Sequence, residues 1–126
     1  MEPILITETY DCPGITLDQE NNIFQITGRS LPEDVYTFYD PIIVWMTEYA
    51  KQPNPETVFD FKFIYFNTAT SKIILDILTL MEQMNETGHK VLVRWHYLKD
   101  DEDMKDAGEE YSGMVEVPFE LISHQI

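Results

Sequence analysis

The chain has 126 residues and a mass of 14.8 kDa, room for one core and too little for a catalytic domain with a separate substrate domain. Eight basic residues against 23 acidic ones leave a formal charge of −15, the wrong balance for DNA, RNA or an anionic membrane surface. Hydrophobic residues make up 44% and aromatic residues 13%, far from the composition of disordered chains, so one domain over residues 1–126 is expected to fold alone.

Cys12 is the only cysteine, which excludes an internal disulfide and a cysteine-based metal cluster and suits a reducing cytoplasm. The opening MEPILITE carries an acid and a proline where a secretion signal needs basic residues and an apolar stretch. The longest clean apolar run, Ile42 to Met46, is far too short to span a bilayer, so a soluble, cytoplasmic protein without a membrane partner is expected.

Ile4 to Thr9, Ile15 to Asp18 and Ile23 to Thr27 are short β-prone segments, and the polar run Gln19 to Asn22 suits a hairpin turn between the last two. Gly28-Arg29-Ser30 ends the third strand. Ser30-Leu31-Pro32-Glu33 has the spacing of a capping box, in which the serine hydroxyl and the glutamate carboxylate satisfy each other's free amides, so a helix is predicted from here. Phe38, Ile42, Trp45 and Tyr49 recur on one helical face. Pro41 lacks the amide that a helix interior needs, which predicts a kink or restart at Asp40-Pro41 with Asp40 as a second cap; Pro53 and Pro55 close the element.

From Thr57 to Phe66 the residues Phe59, Phe61, Phe63 and Tyr65 alternate with Val58, Asp60, Lys62 and Ile64, the period of a strand with one apolar face. Ile73, Ile74, Ile77, Leu78, Met81 and Met84 form a wide stripe on a helix from about Thr68 to Glu86, with Gly88 where a left-handed residue is wanted. Val91, Val93, Trp95 and Tyr97 alternate with Lys90, Leu92, Arg94 and His96 as another strand. Both strands have one mixed, polar face, whereas doubly wound sheets bury apolar residues on both, so helices are expected on one side. Lys99 to Glu110, with seven acids against two lysines, reads as a loop with a short helix, and Met114 to Ile122 as a final edge strand. The expected fold class is α/β, a mixed β-sheet with helices packed mainly on one face.

The chain carries no phosphate-cradling glycine-rich loop, nucleophile elbow or glutamate-flanked histidine pair, and its five glycines are little material for one. His89 and His96 have opposite strand parity and so face opposite sides of the sheet; with His124 they read as solvated surface histidines. Asp100-Asp101-Glu102-Asp103 lacks the sixth-position glycine and the distant bidentate glutamate of a calcium loop, and reads as a charged surface patch. No cofactor and no metal are expected.

Tyr65-Phe66-Asn67-Thr68-Ala69-Thr70-Ser71-Lys72 hands a strand over to a helix through a cluster of hydroxyls. Helix capping is the plain reading, with Asn67 or Thr68 accepting from free amides of the first turn. A phosphorylation switch is the sharper one. A phosphate on Thr68 would sit where free amides and the positive end of the helix dipole tolerate charge, and its charge of about −2 would alter the adjoining surface without moving the fold. Lys72, one turn along, would temper that charge. Two other readings remain beside the switch: a constitutive binding module, and a small metal-binding domain or enzyme on His96, Asp100 and Asp101.

Gly28-Arg29-Ser30 with Pro32-Glu33, Phe38-Tyr39 with Pro41-Ile42 and Trp45, Tyr65-Phe66-Asn67-Thr68 with Ser71-Lys72, and Trp95 with Tyr97 ahead of Asp100-Asp101-Glu102-Asp103-Met104 and Gly108-Glu109 span nearly the whole chain. In order and spacing these pieces resemble the SiaC family of bacterial regulatory phosphoproteins. The resemblance implies a fold similar to STAS domains, the anti-sigma-factor antagonists. It also implies a non-enzymatic protein with Thr68 as phosphoacceptor, flanked by Asn67 and Lys72. Ala69 and Thr70 stand where relatives often have serines, which leaves Thr70 and Ser71 as lesser candidates. The implied partners are a cognate protein kinase, a PP2C-type phosphatase and a target bound by the unmodified form. The target implied is a diguanylate cyclase, through which cyclic di-GMP and biofilm formation would be controlled.

Overall fold

The computed structural model describes residues 1–125. A six-stranded sheet runs β1-β2-β3-β4-β5-β6 in chain order: β1 Ile4–Ile6, β2 Gly14–Asp18, β3 Ile23–Ser30, β4 Glu56–Phe66, β5 Lys90–Leu98 and β6 Phe119–His124. The first three strands pair antiparallel, and β3 to β6 pair parallel. Each parallel step contains a helix: α1 Val35–Tyr49, α2 Thr68–Glu86 and α3 Glu102–Met114. With neighbouring strands in chain order, right-handed crossovers place all three helices on the same face. That face holds the core, in which Phe24, Phe59, Phe61, Trp95, Tyr39 and Tyr49 are among the fully buried side chains. On the other face Val58, Asp60, Leu92, Arg94 and His96 are half-buried and Lys62 and Ile64 exposed.

Several expected boundaries move. The first strand is shorter than expected, ending at Ile6. Ser30 does not cap α1: it is the last residue of β3 and fully buried, and Asp34 is the cap, its carboxylate accepting from the Thr37 amide at 3.2 Å. Nor does α1 restart at Asp40. Pro41 lies inside one continuous helix, since the only bond its ring removes is the one to the carbonyl of Thr37, an exposed residue that water can satisfy. Tyr39 rather than Phe38 occupies the buried stripe.

The acidic segment forms a longer helix than expected, α3, and the edge strand β6 begins five residues later than expected, at Phe119 rather than Met114. Gly108 lets α3 approach the sheet. A Cβ there would come within 2.6 Å of Leu121 Cδ2 and 2.8 Å of Trp95 Cγ. The Trp95 indole N–H, in turn, donates to the Met104 carbonyl at 2.9 Å.

Gly88 takes a φ of +90° just after α2, as the sequence predicts. On β4 the alternation fails near its end. Gly28 of β3 faces Phe63 and Arg29 faces Tyr65, so Ile64 is a bulge, and Ile64 and Tyr65 both turn outward.

Candidate functional site

The junction between β4 and α2 is built around Asn67. Its extended backbone, φ −83° and ψ 172°, makes it the cap of α2, and its side-chain oxygen accepts from the Thr70 amide at 2.8 Å. The sequence left the cap open between Asn67 and Thr68; the geometry selects Asn67. The Asn67 carbonyl takes the Ser71 amide, and the Asn67 amide donates to the Ser30 carbonyl, both at 3.2 Å. The end of β3 and the start of α2 are thereby joined.

The three hydroxyls of the first turn have different surroundings. Thr70 is fully buried, its Oγ1 2.9 Å from Ser30 Oγ, which is also 2.7 Å from Tyr39 Oη. Burial holds the Tyr39 phenol well above its ordinary value against the opposing hydrogen bond to Ser30, so this trio stays neutral. Ser71 is half-buried and donates its hydroxyl to the Thr68 carbonyl at 2.5 Å. Thr68 is exposed at the first helical position. Thr68, Ser71 and Lys72 share one helix face by spacing, with Lys72 exposed. Tyr111 of α3 donates to the Ser71 carbonyl at 2.8 Å, and burial pushes its phenol up to about 12, so the contact persists across the physiological range.

A family model described as SiaC family regulatory phosphoprotein matches residues 6–124. The chain belongs to the SiaC family. It is 28% identical over 124 residues to an uncharacterized protein of Pseudomonas aeruginosa (strain UCBPP-PA14), covering 98% of each. Its structure is similar to that of SiaC of P. aeruginosa, with a TM-score of 0.88 at 27% identity over 98% of this chain and 100% of that one. It is also similar to SiaC in the crystal structure of the diguanylate cyclase SiaD with its activator SiaC, again from P. aeruginosa. There the TM-score is 0.89 at 28% identity, over 96% of this chain and 99% of that one.

Elsewhere in this SiaC-family chain, the residues of the metal or enzyme reading are not brought together. Asp101 caps α3, accepting from the Met104 amide at 3.0 Å, and Asp100 lies beside it. His89 contacts Thr87, with Nδ1 3.2 Å from its hydroxyl. Among the described residues no group of three or more His, Cys, Asp or Glu side chains is arranged to hold a metal ion. Likewise, no described helix is long and apolar enough to cross a membrane.

His96 is not the solvated histidine that the sequence suggested. Its side chain is only 12% exposed, with Nε2 2.7 Å from Asp60 Oδ1 and Nδ1 2.7 Å from His124 Nε2. Arg94 grips both oxygens of Asp60, at 2.8 and 3.0 Å. Burial would raise the Asp60 carboxyl, but the bonds from Arg94 and His96 and their charges hold it below the usual range. For His96 burial is the larger influence and lowers its value despite Asp60, which favours the neutral ring and leaves Arg94 as the main countercharge to Asp60. The signal for this cluster was the common parity of Arg94 and His96 with Asp60, which only the β4–β5 register turns into contact.

Proposed function

We propose that the chain, acting as one domain, is a non-enzymatic switch in the cytoplasm whose target binding is gated by phosphorylation of Thr68. A cognate kinase transfers a phosphoryl group from a nucleoside triphosphate to Thr68 Oγ1, and a PP2C-type phosphatase hydrolyses that ester. The unmodified form binds and activates a diguanylate cyclase, as SiaC does SiaD in P. aeruginosa, and so influences cyclic di-GMP and biofilm formation.

The observation that carries this reading is the division among three neighbouring hydroxyls: Thr70 is fully buried, Ser71 is engaged with a carbonyl, and Thr68 faces solvent. Thr68 is also the residue next to the helix cap, where uncapped amides and the helix dipole favour an anion. The phosphate brings a charge of about −2 and strongly hydrated oxygens to the surface a partner would have to cover. Lys72, four residues on, is placed to pair with it.

The test is phosphosite mapping of the protein purified from its native host with phosphatases inhibited, together with identification of what co-purifies. Phosphate on Thr68, and a cyclase recovered with the unmodified pool only, is the expected result. A Thr68 that stays unmodified under every growth condition, with the same partners throughout, would leave a constitutive binding module instead.

A further inference from the structure

The histidine cluster on the open face reaches the edge of the sheet. Asp60 lies on β4, Arg94 and His96 on β5, and His124 is the last residue of β6, an edge strand. With Asp60 Oδ1 at 2.7 Å from one nitrogen of His96 and His124 Nε2 at 2.7 Å from the other, a single ring ties three strands together. The two imidazole centroids are 5.0 Å apart and their planes 18° from parallel, the separation of rings that meet nitrogen to nitrogen rather than face to face.

Counting donors locates the hydrogens. Asp60 is ionised: both of its oxygens take bonds from Arg94, and an ionised carboxylate only accepts. His96 therefore carries its hydrogen on Nε2 and turns the lone pair of Nδ1 toward the edge strand, where His124 donates from Nε2. The direction of the first bond thus sets the direction of the second. One added proton leaves both bonds in place, because a ring charged at both nitrogens still donates to a neutral neighbour. A second proton does not, since N–H then faces N–H across 2.7 Å between two cations.

We propose that His96 and His124 form a proton-operated catch, which holds the end of β6 against β5 and opens when both rings are charged. The charged groups facing the pair are Asp60 and Lys62 from β4, Arg94 from β5 and Glu120 from β6. Asp60 and Arg94 neutralise each other, Lys62 opposes a charge on His96, and Glu120 acts on Arg94. Asp60 bonds to His96 and leaves the repulsion from His124 in force. The strand end is lightly held: Ser123 and His124 are exposed, and the His124 carbonyl accepts the Lys99 amide at 2.8 Å. At the other end of the strand the Pro118 carbonyl accepts the Val93 amide at 2.9 Å. The two rings also wall a shallow apolar depression of about 350 Å³ beside Ile64 and Leu98, so opening the catch removes that wall.

The test is hydrogen exchange of single amides in the full isotope-labelled protein, corrected for the intrinsic pH dependence of exchange. Between about pH 7.5 and about pH 5, either side of the ordinary histidine value, protection of the Lys99 amide is expected to fall roughly threefold or more. The Val93 amide is expected to keep its protection. His124→Gln offers an oxygen or an amide hydrogen to either form of His96, and should keep Lys99 protected at both pH values; the position is exposed, so the variant folds like wild type. Imidazole nitrogen shifts at about pH 7.5 are expected to place the His96 hydrogen on Nε2. A hydrogen on Nδ1 instead, protection of Lys99 that ignores pH, equal loss at Val93 and Lys99, or a variant with the pH dependence of wild type would overturn the proposal.

Discussion

At the residue scale, Thr68 and Thr70 are two positions apart yet should answer mutation oppositely. Thr70→Val keeps the shape but leaves buried Ser30 with one hydroxyl partner fewer, which is expected to cost about 1–3 kcal/mol in urea unfolding. Thr68→Ala, at an exposed position, should stay within about 0.5 kcal/mol of wild type. Equal costs would mean that the first turn is not divided as described. Asn67→Ala should cost about 1 kcal/mol through loss of the cap. The hydroxyl cluster and the presence of a cap at Asn67 or Thr68 were legible in the sequence because capping is local; the choice of Asn67 needed the geometry. The bond from Thr70 to Ser30 spans 40 residues and was not, which is why Ser30 was assigned to a capping box. His96 gives a pH prediction. Its folded-state value lies below the ordinary 6.5, with Asp60, Arg94, Lys62 and His124 around it. The unfolded chain therefore takes up a proton that the native state resists, and the stability due to neutral His96 is full above pH 6.5 and lost as the pH falls below it. His96→Gln should flatten urea stability between about pH 7.5 and about pH 5.5 compared with wild type, about one unit either side of the ordinary histidine value; an unchanged slope would assign the titration elsewhere.

At the element scale, α3 is the least anchored of the helices in sequence terms and the most informative in the structure. Its acids obscured its length, since a run of seven acids and two lysines reads as a loop with only a short helix, and only Met104, Gly108 and Tyr111 reach the core. Gly108 is where the helix meets the Trp95 indole, and Gly108→Ala forces either ring or helix to move. A cost of about 1–3 kcal/mol is expected, read from the urea midpoint and accompanied by a change in Trp95 fluorescence. Full stability with native fluorescence would mean that α3 sits further from the sheet. The central strands and α2 were legible because their periods of 2 and 3.6 are nearly unbroken. The bulge that exposes Ile64 and Tyr65 was not, because it depends on how β3 aligns with β4, with Gly28 at φ +89° on the partner strand. The continuous course of α1 was missed for a different reason: the penalty of a proline falls when the carbonyl it abandons faces water.

At the scale of the whole molecule, a formal charge of −15 on 126 residues makes the folded state self-repelling, and salt should relieve it. Raising ionic strength from about 0.01 M to about 1 M shortens the screening length from about 30 Å to about 3 Å and should raise the thermal midpoint; a fall would indicate that ion pairs such as Arg94–Asp60 outweigh the general repulsion. Order and class of elements were legible across the chain, because sheet and helix periodicities are local and the apolar faces agree on one covered side. What the sequence could not yield was contact between distant elements: the Ser30 trio and the histidine cluster on the open face. Under the proposed switch, the same negative charge would give a phosphate at Thr68 its leverage, since it would add to a surface already short of cations. The most direct test of the proposed switch is the affinity of the protein, fully phosphorylated on Thr68 and unphosphorylated, for the target recovered with it from its native host, at fixed salt. Phosphorylation should weaken binding at least tenfold, about 1.4 kcal/mol. Equal affinity of the two forms would contradict a phosphate-gated switch.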